Sequence, residues 1–450
     1  MLFKRKIYKQ ILNWKKESNG TTALLIEGAR RVGKSTIVTE FAKSEYQSFI
    51  LVDFDKEGDD LKEIFSHGFG NLDSFFMSLS AYYNVPLYKR KSLIIFDEIQ
   101  KFPRAHEGIK YLVQDGRYDF IETGSLITLK LLTKEITLPS EVENIYMYPM
   151  DFEEFLWALN DNITIPTIKQ HFDSKIPLGQ GLHHKILTQY RTYIAVGGLP
   201  QAIDQYIKDK TNLLKVDAIK RRILDLYTSD LKKYDLECKT ITSEVFSKIP
   251  SFLTNKNGLV TFADFNKNYR YQNLVSTIDG IKKSMVAIIC ENVSEPSIGL
   301  SLNALPNEMK IYQADTGLLI TQILSNNKEA NKNIYKKLII DRLSLNNGMI
   351  FENAVAQALV ASGHNLYFHK FKENKGDCTN NYEIDFLIER KGKIVPIEVK
   401  SSSYRNHRSL DKFIEKYKGI KANESYVIYA KDLYVEGNVT YIPIYMTMFL

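Results

Sequence analysis

Gly28-Ala29-Arg30-Arg31-Val32-Gly33-Lys34-Ser35 decides how this chain is read. The spacing is G-x-x-x-x-G-K-[ST], that of a phosphate-binding loop, or P-loop. An apolar run, Ala23-Leu24-Leu25-Ile26, precedes it, and a helix-like stretch at 35–43 follows. The glycines let backbone N–H groups close around phosphate oxygens, and the helix N-terminus adds partial positive charge. Gly28, Ala29, Arg30, Arg31, Val32, Gly33, Lys34, Ser35 and Thr36 are thus expected to form a nucleotide cradle. Lys34 is expected to reach the β- and γ-phosphates, and the Ser35 hydroxyl to hold Mg²⁺.

A second run, Ser92-Leu93-Ile94-Ile95-Phe96-Asp97-Glu98, has the character of a short buried strand ending in two acids. Asp97 is expected in the Mg²⁺ site, accepting hydrogen bonds from the ion's shell. Glu98 is expected to polarise an attacking water. A third strand, Asp119-Phe120-Ile121-Glu122, runs into Thr123-Gly124-Ser125. One hydroxyl there, Ser125 or Thr123, sits where it would sense the γ-phosphate, and Ser125 is the expected sensor.

The 450 residues suffice for two to four domains, and 44% hydrophobic with 25% charged residues is ordinary for a globular protein. The sequence has no run of 18 uncharged apolar residues, so no membrane partner is expected. The basic start lacks the apolar core of a signal peptide. Cys238, Cys290 and Cys378 lie far apart, which suits a reducing cytoplasm and excludes a Cys-only zinc site. A net charge of +7 permits DNA as a partner.

The fold expected is α/β. Strands near 23–26, 48–53, 93–97, 120–122 and 145–148 alternate with helices, which argues for a parallel sheet covered on both faces. This P-loop core is expected at 1–150 and a helical lid at 151–239. Within the lid, the polar stretch 160–181 is expected to be a loop or an insertion, and 208–239 is rich in lysine and arginine. Residues 240–325 suggest a winged helix-turn-helix. The runs 285–291 and 310–312 would form its wing, and Tyr269, Arg270, Tyr271 and Gln272 would lead its recognition helix onto DNA or a protein. The Asn/Lys-rich segment 326–337 suggests a linker, within 326–347, to a last domain at 348–450.

That last domain carries a second signature. Tyr382-Glu383-Ile384-Asp385-Phe386-Leu387-Ile388 and Ile394-Val395-Pro396-Ile397-Glu398-Val399-Lys400 both alternate as strands. A hairpin centred between Lys391 and Gly392, with a two- or four-residue loop, sets Asp385 directly opposite Glu398, their Cβ atoms roughly 4.5–5.5 Å apart. Lys400 shares their face. Opposed carboxylates repel, and a divalent cation would convert that repulsion into binding. Glu352, near the start of an amphipathic helix at 351–359, would add a third carboxylate. The pattern is that of P-D-(D/E)-x-K nucleases, without the proline before Asp385. It makes Asp385, Glu398 and Lys400 candidate catalytic residues, and Glu352, Asp385 and Glu398 candidate metal ligands.

The whole arrangement resembles prokaryotic AAA-type ATPases that join a P-loop domain to a winged helix and a restriction-endonuclease-like tail of the DUF4143 type. The matching pieces are residues 28–35 with the paired Arg30-Arg31, Phe96-Asp97-Glu98-Ile99-Gln100, Thr123-Gly124-Ser125 and Tyr148-Pro149-Met150-Asp151-Phe152-Glu153-Glu154-Phe155. Others are Gly197-Gly198-Leu199-Pro200, Lys310-Ile311-Tyr312-Gln313-Ala314-Asp315-Thr316-Gly317-Leu318-Leu319 and the two strands around Asp385 and Glu398. The resemblance implies ATP binding and hydrolysis with Mg²⁺. It leaves two readings open. One is an ATP-driven enzyme acting on DNA, whose tail cleaves a phosphodiester. The other is a nucleotide-controlled switch or scaffold whose inactive nuclease-like domain binds protein. An arginine finger supplied in trans would require a self-oligomer.

Overall fold

The structure, a computed structural model, describes residues 2–56, 58–124, 140–255, 258–260, 271–324, 328–339, 347–375, 378–401, 407–418 and 424–450. Ser125, Tyr269 and Arg270 lie outside them. The chain divides into two units. The first is Met1–Tyr148 with Asp230–Thr240 and Lys283–Met285; the second is Pro149–Ser229, Ile241–Lys282 and Val286–Leu450.

The first unit alternates as its sequence suggests: α1 (Ile7–Ser18), β1 (Ala23–Glu27), α2 (Lys34–Glu45), β2 (Ser48–Asp53), α3 (Asp59–Gly68), α4 (Leu72–Tyr83), β3 (Ser92–Asp97), α5 (Pro103–Asp115), β4 (Asp119–Gly124) and β5 (Val142–Tyr146). The five strands form one parallel sheet in the order β2-β3-β4-β1-β5. The chain leaves β1 for the far edge and returns through β3 and β4. It then passes β1 to reach β5, so the order reverses at β1. In such a sheet a ligand binds outside the carboxyl ends of the strands at that reversal. Residues of β1, β3 and β4 are buried throughout, which is why β1 and β3 have continuous apolar runs rather than alternating ones.

One face of this sheet is packed by aromatic rings. The Phe65 ring lies 5.2 Å from Phe75, 5.4 Å from Phe96 and 5.5 Å from Phe54, measured between centroids. Phe65 is fully buried, and losing such a ring costs about 3–5 kcal/mol. Because Phe96 immediately precedes Asp97, this core also fixes the end of β3, where the acids stand.

The second unit is helical at first: α6 (Phe152–Ala158), α7 (Thr164–Ser174), α8 (Gln180–Val196), α9 (Pro200–Lys208), α10 (Leu213–Cys238), α11 (Thr242–Thr254) and α12 (Tyr271–Ser284). The last part of α10, from Asp230, counts with the first unit. There follow β6 (Ala287–Val293), β7 (Ala304–Gln313), α13 (Thr316–Ile323), α14 (Lys328–Ile339), α15 (Asn347–Ala361), β8 (Leu366–Lys375), β9 (Cys378–Arg390), β10 (Lys393–Val399), α16 (Arg408–Lys416), β11 (Ser425–Tyr429), β12 (Tyr434–Glu436) and β13 (Val439–Pro443). The strands make one mixed sheet of eight in the order β12-β13-β11-β10-β9-β8-β6-β7.

Three expectations change here. The two runs assigned to a wing are β6 and β7, and β6 pairs in parallel with β8, so they extend the C-terminal sheet instead of standing alone. The polar stretch 160–181 contains α7, whose Ile165 and Ile168 are buried. Residues 328–339 of the expected linker form α14, and its Tyr335 hydroxyl donates to Asp217 at 2.8 Å in the interior. In the two helices a few apolar or aromatic residues are buried that a polar composition hides.

Two motifs meet in this interior. The Asp315 carboxylate caps α13 by accepting from Leu318 N at 2.9 Å and also accepts from Gly198 N. A Cβ at Gly317 would come 2.5 Å from the Gly197 Cα, so the backbones touch. Lys220, fully buried, donates to Ala195 O, Gly317 O and the Tyr335 hydroxyl.

Candidate functional site

The glycine loop turns at Arg31 (φ 68°) and Gly33 (φ 104°), both left-handed, and Gly33 opens α2. At Gly28 the backbone passes so close to Met147 O that a Cβ would lie 2.4 Å from it. The loop folds around the Lys34 ammonium, which donates to Gly28 O at 2.8 Å and Ala29 O at 3.0 Å. Burial lowers this ammonium to about 8, against the opposing pull of Glu98 and Asp97. A phosphate entering the loop would give the buried charge the counter-ion it lacks.

Ser35, the first hydroxyl of α2, donates to Asp97 Oδ1 at 2.8 Å. Thr123 on β4 donates to the same oxygen. The strand order explains the convergence. β4 lies between β1 and β3, so its end stands between the loop and Asp97. Buried Asp97 therefore takes a hydroxyl from each side. Oxygen donors of this kind, on a rigid sheet edge beside a phosphate loop, fit Mg²⁺.

Glu98 takes a left-handed conformation (φ 55°), which turns the chain sharply out of β3. Gln100 donates to its carboxylate. Its charge helps hold the protons of Lys34 and Arg30.

Two loop contacts have no local sequence signal. Arg5, from the basic start of the chain, donates to Val32 O and Tyr148 O, both at 2.7 Å. Arg30 Nη1 lies 3.1 Å from both carboxylate oxygens of Asp230 on α10. Both pairs join residues over a hundred positions apart or in unrelated segments, so no spacing rule finds them.

The C-terminal hairpin has the expected register. Arg390 pairs with Lys393 across a two-residue turn, with Lys391 (φ 50°) and Gly392 (φ 68°) both left-handed. Pairing runs to Ile397–Phe386, and Asp385 and Glu398 are the next residues along. Asp385 accepts from Val399 N at 2.7 Å, and Lys400 lies 2.6 Å from Glu398. Burial and the charges of Glu398 and Glu352 push the Asp385 carboxyl well above its usual range.

The third expected ligand is otherwise engaged. Glu352 receives Lys310 Nζ at 3.0 Å and the Tyr312 hydroxyl at 2.6 Å. Lys310 also lies 2.7 Å from Glu383. Among the described residues no three His, Cys, Asp or Glu side chains are arranged to hold a metal ion. Of the metal set expected from Glu352, Asp385 and Glu398, Glu352 is thus paired with Lys310 and Glu398 with Lys400, while Asp385 accepts the Val399 amide. Two buried histidines of the second unit are structural. His183 bonds the Tyr445 hydroxyl and Ala430 O, and His369 bonds Val293 O and the Tyr417 hydroxyl.

Residues 20–156 match the family model of an AAA domain. Residues 187–329 and 347–447 match two domains of unknown function, DUF8612 and DUF4143. No curated protein matches the sequence. Solved structures similar to the chain include a Walker-type ATPase of Pyrococcus abyssi, 14% identical, covering 72% of this chain and 96% of that one, with a TM-score of 0.40. The Aeropyrum pernix ORC2 protein in its ADPNP–ADP complexes is 13% identical, with 75% and 93% covered and a TM-score of 0.35. The parallel sheet, the glycine loop and the domain match together give residues 20–156 an AAA-type P-loop ATPase fold. No helix among the described residues is long and apolar enough to cross a membrane.

Proposed function

We propose that this chain binds and hydrolyses ATP with Mg²⁺ at the carboxyl ends of β1, β3 and β4. The observation that carries the reading is the convergence of Ser35 and Thr123 on Asp97 beside a loop wrapped around Lys34. In the bound state Lys34 turns from the two loop carbonyls to the β- and γ-phosphate oxygens, which are better acceptors for a buried ammonium. Ser35, with Asp97 behind it, would hold the ion, which would supply positive charge to the triphosphate. Glu98 orients the attacking water and accepts its proton, and Gln100 fixes the carboxylate for that task. Thr123 holds Asp97 from the far side and takes the sensing position on β4.

The test is ATP turnover by the full chain with Mg²⁺ and with EDTA, run beside Asp97→Asn. Turnover that needs Mg²⁺ and is lost in the variant supports the reading; equal rates with EDTA contradict it.

Of the two wider roles, the nucleotide-controlled switch is favoured over action on DNA. The Arg30–Asp230 pair ties the phosphate loop to the long helix α10, giving nucleotide occupancy a contact to break. The basic segment offers less free charge than its composition suggests. Lys208, Lys215 and Arg221 pair with Asp204, Asp209 and Asp217, and Lys220 is buried. A cytoplasmic setting is consistent with Cys238 and Cys290 carrying no disulfide.

A further inference from the structure

We propose that Lys310 is a built-in cation for the carboxylates of the C-terminal sheet. It makes their centre a metal-independent ion-pair core in place of a nuclease site. The inference concerns the second unit alone and stands whether or not the P-loop hydrolyses ATP.

Lys310 lies on β7, beside Cys290 in the ladder with β6, and is almost fully buried. Its ammonium reaches Glu352 Oε1 at 3.0 Å and Glu383 Oε1 at 2.7 Å. It also stands 5.5 Å over the face of the Phe368 ring. Tyr312, two residues on and so on the same face, donates to the same oxygen of Glu352. Glu352 is the helix carboxylate a metal centre would require, and one of its oxygens already accepts two donors.

The remaining charges are matched in the same way. Lys370 lies 3.3 Å from Glu383, and Lys400 lies 2.6 Å from Glu398. Three ammonium groups therefore face the four carboxylates of Glu352, Glu383, Asp385 and Glu398. At most one negative charge is left, and Asp385 already accepts the Val399 amide. Glu398 Oε2 has no hydrogen-bond partner and is the oxygen that a divalent ion would have to use. Mg²⁺ can be held by one or two carboxylates with water completing its shell, so what stands against it here is charge: the ammonium groups of Lys310 and Lys400 already occupy Glu352 and Glu398. Lysine is suited to this place: it is a compact point charge with three donors and needs no exchangeable ligand.

The deciding experiment is a Mn²⁺ titration of the nucleotide-free full chain, read by the electron spin resonance of free Mn²⁺. We expect Asp385→Asn and Glu398→Gln to bind as much Mn²⁺ as wild type. Any Mn²⁺ that is bound should be lost only with Asp97→Asn, which leaves the C-terminal centre without metal and supports the proposal. One Mn²⁺ per chain that is lost in Asp385→Asn but kept in Asp97→Asn would overturn it. A second arm uses Lys310→Met, which keeps the length and removes the charge. The denaturation midpoint should fall by roughly 5 °C or more. Lys310→Met with Glu383→Gln should recover part of that loss, because the carboxylate left unpaired is gone. A single variant as stable as wild type would contradict the cation role. If the single variant does not fold, the wild-type titration still decides.

Discussion

Arg30, inside the phosphate loop, is held by Asp230 of α10, with its Nη1 3.1 Å from each carboxylate oxygen. Both side chains are partly exposed, so the pair is worth no more than about 1 kcal/mol. That is enough to matter if Arg30 turns to a phosphate. Asp230→Asn should then strengthen ATP binding by about fivefold, and ADP binding less, because the arginine no longer has to leave a partner. Titration with a fluorescent nucleotide analogue checks this. Equal affinities in variant and wild type would remove Asp230 from the nucleotide response.

Lys34 predicts a pH dependence. Burial places its ammonium at about 8 in the free protein, and only the charged form attracts phosphate. A bound phosphate holds the proton on, so binding takes up a proton once the free lysine has lost it. Affinity should be level below that pKa and fall as pH rises through it. At pH 9 the charged form is about one tenth of the free protein, so Kd should rise about tenfold from pH 7. Calorimetric titration at both pH values measures this, and an unchanged Kd would contradict it.

Thr123 is fully buried and donates to Asp97. Thr123→Val keeps the shape and removes the donor. It should cost about 1 kcal/mol of stability, the worth of one hydrogen bond, because Ser35 still donates to the same Asp97 oxygen. It should also lower turnover about tenfold while nucleotide affinity stays within about twofold. A Thr123→Ser variant should restore turnover, because it returns the hydroxyl. Failure of that rescue would make Thr123 a packing residue only.

What the sequence revealed depended on how local each signal was. The loop at 28–35 and the acids after β3 are contiguous, and their geometry follows from a strand, a turn and a helix dipole. The C-terminal register was legible because a two- or a four-residue loop centred between Lys391 and Gly392 sets the same pairs beyond it; the structure takes the two-residue turn, with positive φ at both positions. The wing was misassigned because a strand pair looks the same in isolation as within a larger sheet; only the β6–β8 pairing distinguishes them. The linker was misassigned because α14 is polar except at residues such as Tyr335, whose partners Asp217 and Lys220 lie far back in the chain. Lys310 opens the run 310–319. Its role depends on Glu352 and Glu383, which approach it only when β7, α15 and β9 are packed.

The central claim is that the pocket at Gly28–Lys34 grips a nucleotide triphosphate and that Glu98 acts on the water. It is tested most directly by measuring ATP binding and ATP turnover together for wild type, Lys34→Ala and Glu98→Gln. Lys34→Ala should lose both. Glu98→Gln should bind ATP as tightly as wild type while turnover falls about 10²–10⁴-fold. Wild-type affinity in Lys34→Ala, or wild-type turnover in Glu98→Gln, would contradict the account.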